Sequence, residues 1–454
     1  MVVYLNRSGN DHVSLSFKIK SNIKIAAGKG IHHSQGFWIL GRGFRLPCEC
    51  LAYEAGEVSG SFCSDLCEHN KIQLGQCLST VPEKQIYEAD WEDKQVILKI
   101  NVTWFKEFSI RRDMKDSDAA AMYKNDVSAR ARTMFGDCSQ CHKLTSALAI
   151  LGDSNSDGIV TGTEAKTFIS LLQFIEPLML IALNDSKYTV DFYGYCGGLY
   201  AVEKVPLIAS KIFGTTWELL ELPGDMLEPL KVTFNYYVGK IVHAAAFYAQ
   251  YADTILKRTL ALNDYPIFSN LFSVHFPSRR EKFQFACSLL DTIMSLSEHP
   301  YGLVQQCDGH LGNFGITSNA SVKIIDLDLL FPYFYIKDHL ERKECLSDEV
   351  CWVGNNRFCL STCDSSKGFC SSDMLYQDLH VVCEGFLPQI FDDSGIVEAK
   401  GHNNTVLRRA IEGLGSYCSK LPSVYSSREM RLRILNVKKK LRSIENKSTC
   451  TENC

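Results

Sequence analysis

Nineteen of the 454 residues are cysteine, and they are bunched rather than spread. Cys48, Cys50, Cys63, Cys67 and Cys77 form one group and Cys138 and Cys141 a pair. Cys345, Cys351, Cys359, Cys363, Cys370 and Cys383 form a ladder. Such density in loop-like sequence means disulfides in an oxidising compartment, or bound metal, and either would cross-link the fold locally. Zinc prefers two C-x-x-C halves, and only Cys138-Ser-Gln-Cys141 offers one. Disulfides are the favoured reading, and the odd count leaves at least one thiol free or intermolecular. Sequons at Asn6, Asn101, Asn184, Asn319, Asn403 and Asn446 fit a luminal or secreted glycoprotein. Met1 to Pro47 holds no apolar core of signal-peptide length and no membrane span of about 18 apolar residues. Either the true start is missing from this sequence or export uses another route.

Hydrophobic and charged fractions of 46% and 22% are those of an ordinary globular protein, and a net charge of −4 gives no reason to expect nucleic acid as partner. Residues 1–47 mix polar, glycine and basic residues without a period and receive no domain. A cysteine-rich module spans 48–83. From Lys84, two strand-like runs, Gln85–Trp91 and Gln95–Ile100, flank a turn at Glu92–Lys94. Residues Asp116 to Leu151 have helical spacing. Then comes Asp153-Ser-Asn155-Ser-Asp157-Gly158-Ile159-Val-Thr161-Gly-Thr-Glu164, which has the full pattern of an EF-hand Ca²⁺ loop. Side-chain oxygens stand at positions 1, 3, 5 and 9, the Ile159 carbonyl at 7, a glycine at the sharp turn and a bidentate glutamate at 12. With three ionised ligands and no second loop to pair with, affinity is expected on the order of 10⁻⁶ to 10⁻³ M, toward the weak end. A helix from Glu164 to Leu183 should follow, including the longest apolar run, Phe168–Leu183, which Glu176 and Pro177 interrupt and which reads as buried. A carboxylate in so apolar a stretch wants a cation.

The densest chemistry lies between Cys307 and Asp328. Asp308 precedes Asn313 by five residues, and Asp326 ends the apolar run Val322–Ile325. Phosphoryl transfer from ATP needs a carboxylate to accept the substrate hydroxyl's proton, and an Asn and an Asp to hold Mg²⁺ against the phosphates. The protein-kinase pattern H-R-D-x-x-x-x-N followed by D-F-G has this spacing. Here Gln306-Cys307 replaces His-Arg, and Asp326-Leu327-Asp328 replaces D-F-G. Upstream, Val96-Ile-Leu-Lys99 is close to the kinase V-A-I-K, so Lys99 is the candidate partner of the ATP phosphates, and Glu176 falls where a helix glutamate would pair with it. Strands at Tyr188–Tyr195 and Gly198–Val205 follow, then helices over Thr233–Leu262 and Phe283–Leu296, the latter opened by a capping box at Ser278–Glu281. Further helices are expected at Met374–Phe391 and Thr405–Leu421. The basic run Arg428–Arg442 reads as a solvated helix face.

Together these residues resemble the cysteine-rich divergent protein kinases of the endoplasmic reticulum, the DIPK group, over roughly Cys48 to Tyr417. The marks are C-x-x-L-C at Cys63–Cys67, A-D-W at Ala89–Trp91, V-I-L-K at Val96–Lys99 and the inserted Ca²⁺ loop. C-D-x-x-x-x-N-F at Cys307–Phe314, D-L-D at Asp326–Asp328 and the ladder Cys345–Cys383 complete the set. The resemblance implies an α+β, bilobal protein-kinase-like fold with disulfide-rich segments. Its N-lobe would be 84–205, with an EF-hand at about 143–175, and its helical C-lobe 206–454, with a cysteine-rich activation region at 345–383. It implies residence in the secretory lumen, usually behind an N-terminal membrane anchor that is not visible here. By position, Lys99 binds phosphate, Glu176 pairs with it, Asp308 is the base, and Asn313 and Asp326 hold Mg²⁺ or Mn²⁺. The pattern is broken by Gly309-His310 and Gly312, expected to loosen Asp308. It also lacks A-P-E, and no glycine-rich loop stands between Leu78 and Trp91. Two functions follow: a Ca²⁺-modulated kinase moving the ATP γ-phosphate to a hydroxyl on a luminal protein or glycan, or a pseudokinase serving as a Ca²⁺-dependent binding module.

Overall fold

The run Lys84–Trp91 (β2) turns back at Glu92, which adopts a positive φ of 53°, into Lys94–Asn101 (β3). The two pair antiparallel from Lys84↔Asn101 to Trp91↔Lys94. Alternation along β3 then sorts its side chains by face. Val96, Leu98 and Ile100 are buried in a cluster with Phe62, Cys63 and Leu66, whereas Lys99 points to the opposite face. Ile72–Cys77 (β1), Phe192–Cys196 (β4) and Leu199–Glu203 (β5) complete a five-stranded sheet of order β1-β2-β3-β5-β4. The cysteine-rich module is thus part of this sheet. It contributes the edge strand β1 and covers one face with the helices Leu46–Glu54 (α1) and Cys63–Cys67 (α2), stapled by Cys50–Cys67 and Cys63–Cys196.

These elements come from a computed structural model that describes residues 46–79, 84–101, 103–138, 140–213, 277–354, 358–391 and 403–452, all within one compact unit. The helix expected over Thr233–Leu262 lies outside the described residues, as does most of the 1–47 segment.

On the other face of the sheet lie Trp104–Arg112 (α3), Asp116–Phe135 (α4), Cys141–Leu151 (α5), Gly162–Leu172 (α6) and Ile175–Ala182 (α7). The helical stretch expected over Asp116–Leu151 is broken at Gly136, whose φ of 66° ends α4. The single helix expected from Glu164 to Leu183 is likewise two helices, bent by 97°. The break falls at Gln173–Phe174, where Phe174 is extended (φ −85°, ψ 141°), and not at Pro177. Pro177 sits in the first turn of α7, where a missing N–H costs nothing because the first four amides have no partner within the helix. The bend drives Glu176, fully buried, under the sheet. Among the described residues no single helix is long and apolar enough to cross a membrane.

Downstream, Ser278 caps the helix Arg279–Ser297 through the expected capping box with Glu281. Val304–Gln306 (β7) pairs with Leu330–Pro332 (β10), and Leu207–Ile208 (β6), Phe314–Ile316 (β8) and Val322–Ile324 (β9) form a small sheet. The ladder folds as three short strands cross-linked by Cys345–Cys363 and Cys351–Cys370. Cys307–Cys359 and Cys383–Cys418 tie it and the following helix to their neighbours. Cys138 and Cys141, the one zinc-like half, are bonded to each other. Among the described cysteines Cys77 and Cys287 are free. Met374 ends a strand, so the helical stretch expected from it begins only at Asp378. The helix Ser427–Glu452 is not merely solvated along its basic run: Met430, Ile434, Val437 and Leu441 are buried, and Lys438 pairs with Asp291 at 2.5 Å.

Candidate functional site

Strand alternation places Lys99 beneath the sheet, and the α6–α7 bend brings Glu176 to meet it. Lys99 Nζ lies 2.5 Å from Glu176 Oε1 and donates to the Ile325 carbonyl at 2.7 Å. The lysine therefore stands next to Asp326, although 226 residues separate it from Ile325 in the chain. Glu176 Oε2 accepts the Tyr200 hydroxyl at 2.5 Å, and Oε1 accepts the Leu327 N–H at 3.5 Å. A second lysine that the sequence reading missed completes the cluster. Lys84, the first residue of β2, reaches Glu176 Oε2 (2.7 Å), Asp326 Oδ1 (3.0 Å) and Asp328 Oδ2 (2.6 Å). The only sequence signal for it is period two: Lys84 and Ile86 share a face, and Ile86 sits opposite Lys99. Burial alone would raise the Glu176 carboxyl, but the ammoniums of Lys84 and Lys99 hold it well below the usual range. The Asp328 carboxyl is pushed up to about 7 by burial and by Glu176 and Asp326, against the pull of Lys84.

Asp308 and Asn313 lie on the loop after β7. Asn313 is buried, and its amide nitrogen donates to the Asp308 carbonyl at 2.6 Å and to its Oδ2 at 3.3 Å. The loop is held from below by Asp378, also missed from sequence. Its carboxylate accepts the Gln306 N–H (3.0 and 3.2 Å) and the Gln305 side-chain amide. Burial lifts that carboxyl to about 8 against the pull of these donors. Cys307–Cys359 pins the same loop sideways. Gly309 and Gly312, expected to loosen it, have close neighbours. A Cβ on Gly309 would lie 2.6 Å from Val381 Cγ1, and one on Gly312 would lie 2.8 Å from the His310 ring, so both glycines mark close packing. His310 Nδ1 accepts the Gly312 N–H at 3.1 Å. A neutral ring therefore carries its proton on Nε2, 3.2 Å from Asp308 Oδ2, where it can donate to that carboxylate.

The loop Asp153–Glu164 joins α5 to α6. Gly158 takes the positive φ of 86° that the turn needs. Asp153 accepts the Asp157 and Gly158 amides, Asn155 the Asp157 amide, and Asp157 the Ile159 amide. Glu164 is turned to the loop ends, Oε1 to Ser154 and Oε2 to Thr161, and forms the capping box of α6. Burial would raise its carboxyl, but these hydrogen bonds outweigh it and hold the group below its usual value. The carboxylates of Asp153, Asp157 and Glu164 are thus satisfied by the loop itself.

Oxygens of Glu176, Asp326 and Asp328 lie within 4.8 Å of one another. A hard cation such as Mg²⁺ takes all-oxygen ligands of this kind, so the residues fit one. Asp326 and Asp328 would hold it, with Asn313 offering the amide oxygen that its nitrogen's bonds to Asp308 leave over. A strand lysine in ion pair with a helix glutamate, set against an Asp-x-Asp strand end in a mixed helix and sheet domain, defines the class: a divergent, disulfide-rich, kinase-like protein. A family model described as the protein-kinase domain of FAM69 matches residues 168–420, more than half the chain, and one described as the N-terminal cysteine-rich ER region of FAM69 matches residues 41–131. The chain belongs to the FAM69 family, the cysteine-rich divergent kinase group that its motifs resembled, and the second match ties it to the endoplasmic reticulum and secretory pathway. The segment 132–167, with its Ca²⁺-type loop, falls between the two matches.

Proposed function

We infer that the chain is a bilobal luminal kinase that moves the ATP γ-phosphate to a hydroxyl on a protein or glycan, and that Ca²⁺ bound by the EF-hand-like loop modulates it. One observation carries the reading: Lys99, Glu176 and the Ile325–Asp326 strand end converge on one cluster from opposite parts of the chain. Phosphoryl transfer depends on positioning and charge neutralisation more than on covalent help from the protein, and this cluster supplies both. Lys99, oriented by Glu176, meets the phosphates. Asp326 and Asn313 would hold the cation, which would supply charge neutralisation at the phosphates. Asp308, steadied by Asn313 and by the Asp378-anchored loop, accepts the hydroxyl's proton. The Ca²⁺ loop acts through α6, whose bent continuation α7 carries Glu176. With Mn²⁺ and γ-labelled ATP, transfer to a luminal extract should be measurable and should fall at least about 10²-fold in Asp308→Ala, the scale of a general base. Equal transfer by the variant would falsify the assignment.

A pseudokinase reading has its own support. Lys84 fills the gap between Asp326 and Asp328, and no glycine-rich loop precedes β2. Stabilisation by Ca²⁺ with none by metal–ATP would favour it.

A further inference from the structure

Lys84 is the one member of the cluster whose position is hard to explain as support for the others. Lys99 is held by Glu176 and the Ile325 carbonyl, and Glu176 has Lys99, the Tyr200 hydroxyl and the Leu327 amide as partners besides Lys84. Asp326 and Asp328 have no ammonium but that of Lys84 among the described residues. Its Nζ bonds three carboxylates at 2.6 to 3.0 Å, those of the same three residues that could bind a metal. A divalent ion such as Mg²⁺ binds oxygen at about 2.0–2.1 Å, so ion and ammonium cannot share that space.

We propose that Lys84 is a tethered cation that occupies the metal position until metal and nucleotide together displace it. The inference rests on the kinase-like reading of the site. The anchor point suits the role. Lys84 is the first residue of β2, directly after the connection from β1, and its long side chain can swing out without disturbing the β2–β3 ladder, which is made by backbone. Leaving the carboxylates, the ammonium moves toward the side from which the triphosphate enters. There it supplies positive charge where other kinases use the amides of a glycine-rich loop. Metal alone would then be a poor ligand, because it must evict an ammonium and offers that ammonium no new partner. Metal with nucleotide would bind well, since the phosphates receive it.

The test is Mn²⁺ binding without nucleotide, followed by electron paramagnetic resonance and counted as the signal that Asp326→Asn removes, which subtracts ions at the Asp153–Glu164 loop. Lys84→Met should bind Mn²⁺ at least 10-fold more tightly than wild type. Lys84→Gln, which keeps a polar head should the first variant fold poorly, should move the same way, and Lys84→Arg should stay near wild type. Equal affinity in wild type and the neutral variants would overturn the proposal, as would weaker binding in them, which would make Lys84 a support for the site rather than a competitor. Mn²⁺–ATP titrated into wild type reports on the kinase reading separately: absence of nucleotide binding sinks that reading, while the Mn²⁺-only comparison still decides the role of Lys84.

Discussion

Glu176 shows what one buried charge can demand. It is fully buried and has two ammoniums, a hydroxyl and an amide around it. Removing its charge strands Lys99 beneath the sheet, and breaking a buried pair in this way costs about 3–5 kcal/mol. Glu176→Gln should lower unfolding stability by that amount in a urea titration, and a loss below about 1 kcal/mol, the worth of a surface pair, would show that the ion pair does not order the site. Asp378 makes a prediction of opposite character. Its carboxyl ionises at 3.8 when unfolded but is lifted to about 8 in the fold. Between those values the native state holds a proton that the unfolded chain releases, so stability declines as pH rises from about 4 to about 8. Asp328, lifted to about 7, adds to the decline with the same sign over the lower part of that window. His299, lowered to about 4 by burial, acts with the opposite sign below about 6.5, so the test is the difference: from pH 4 to 8 the denaturation midpoint of wild type should decline relative to that of Asp378→Asn. Parallel profiles would contradict the assignment.

At the scale of elements, the features legible in sequence were those with local signatures. The β2–β3 hairpin follows from alternation around Glu92, and the Ser278–Glu281 box marks its helix start. Lys99 and Glu176 could be named because a strand-end lysine and a carboxylate in an apolar helix are each visible within a short window. Lys84 and Asp378 could not, because what gives them meaning is a partner 242 and 72 residues away, Asp326 and Gln306. The α6–α7 break was not foreseen, for a related reason. Pro177 is the conspicuous residue, yet its effect depends on where the helix starts, and tertiary packing sets that start at Ile175. The loop between α5 and α6 carries the clearest motif, and its glutamate already closes the loop through Ser154 and Thr161. Ca²⁺ must therefore compete with a formed capping box. Calorimetry should find binding in the weak part of the EF-hand range, about 10⁻⁴ to 10⁻³ M, and none in Glu164→Gln. Unchanged affinity in the variant would place any Ca²⁺ elsewhere.

At the scale of the molecule, disulfides among the described residues tie distant segments together beside an extensive buried core. Cys63–Cys196 joins the N-terminal module to β4, and Cys307–Cys359 joins the Asp308 loop to the cysteine ladder. Both fix backbone next to the elements that carry the site, as suits a chain of the secretory pathway. Phosphoryl transfer at this site requires those elements to meet around one metal–triphosphate. The most direct measurement is calorimetric titration of Mn²⁺ with a non-hydrolysable ATP analogue into wild type, Lys99→Met and Asp326→Asn. Saturable binding by wild type that both variants lose is the predicted result. No binding by folded wild type, or equal binding by all three, would contradict it.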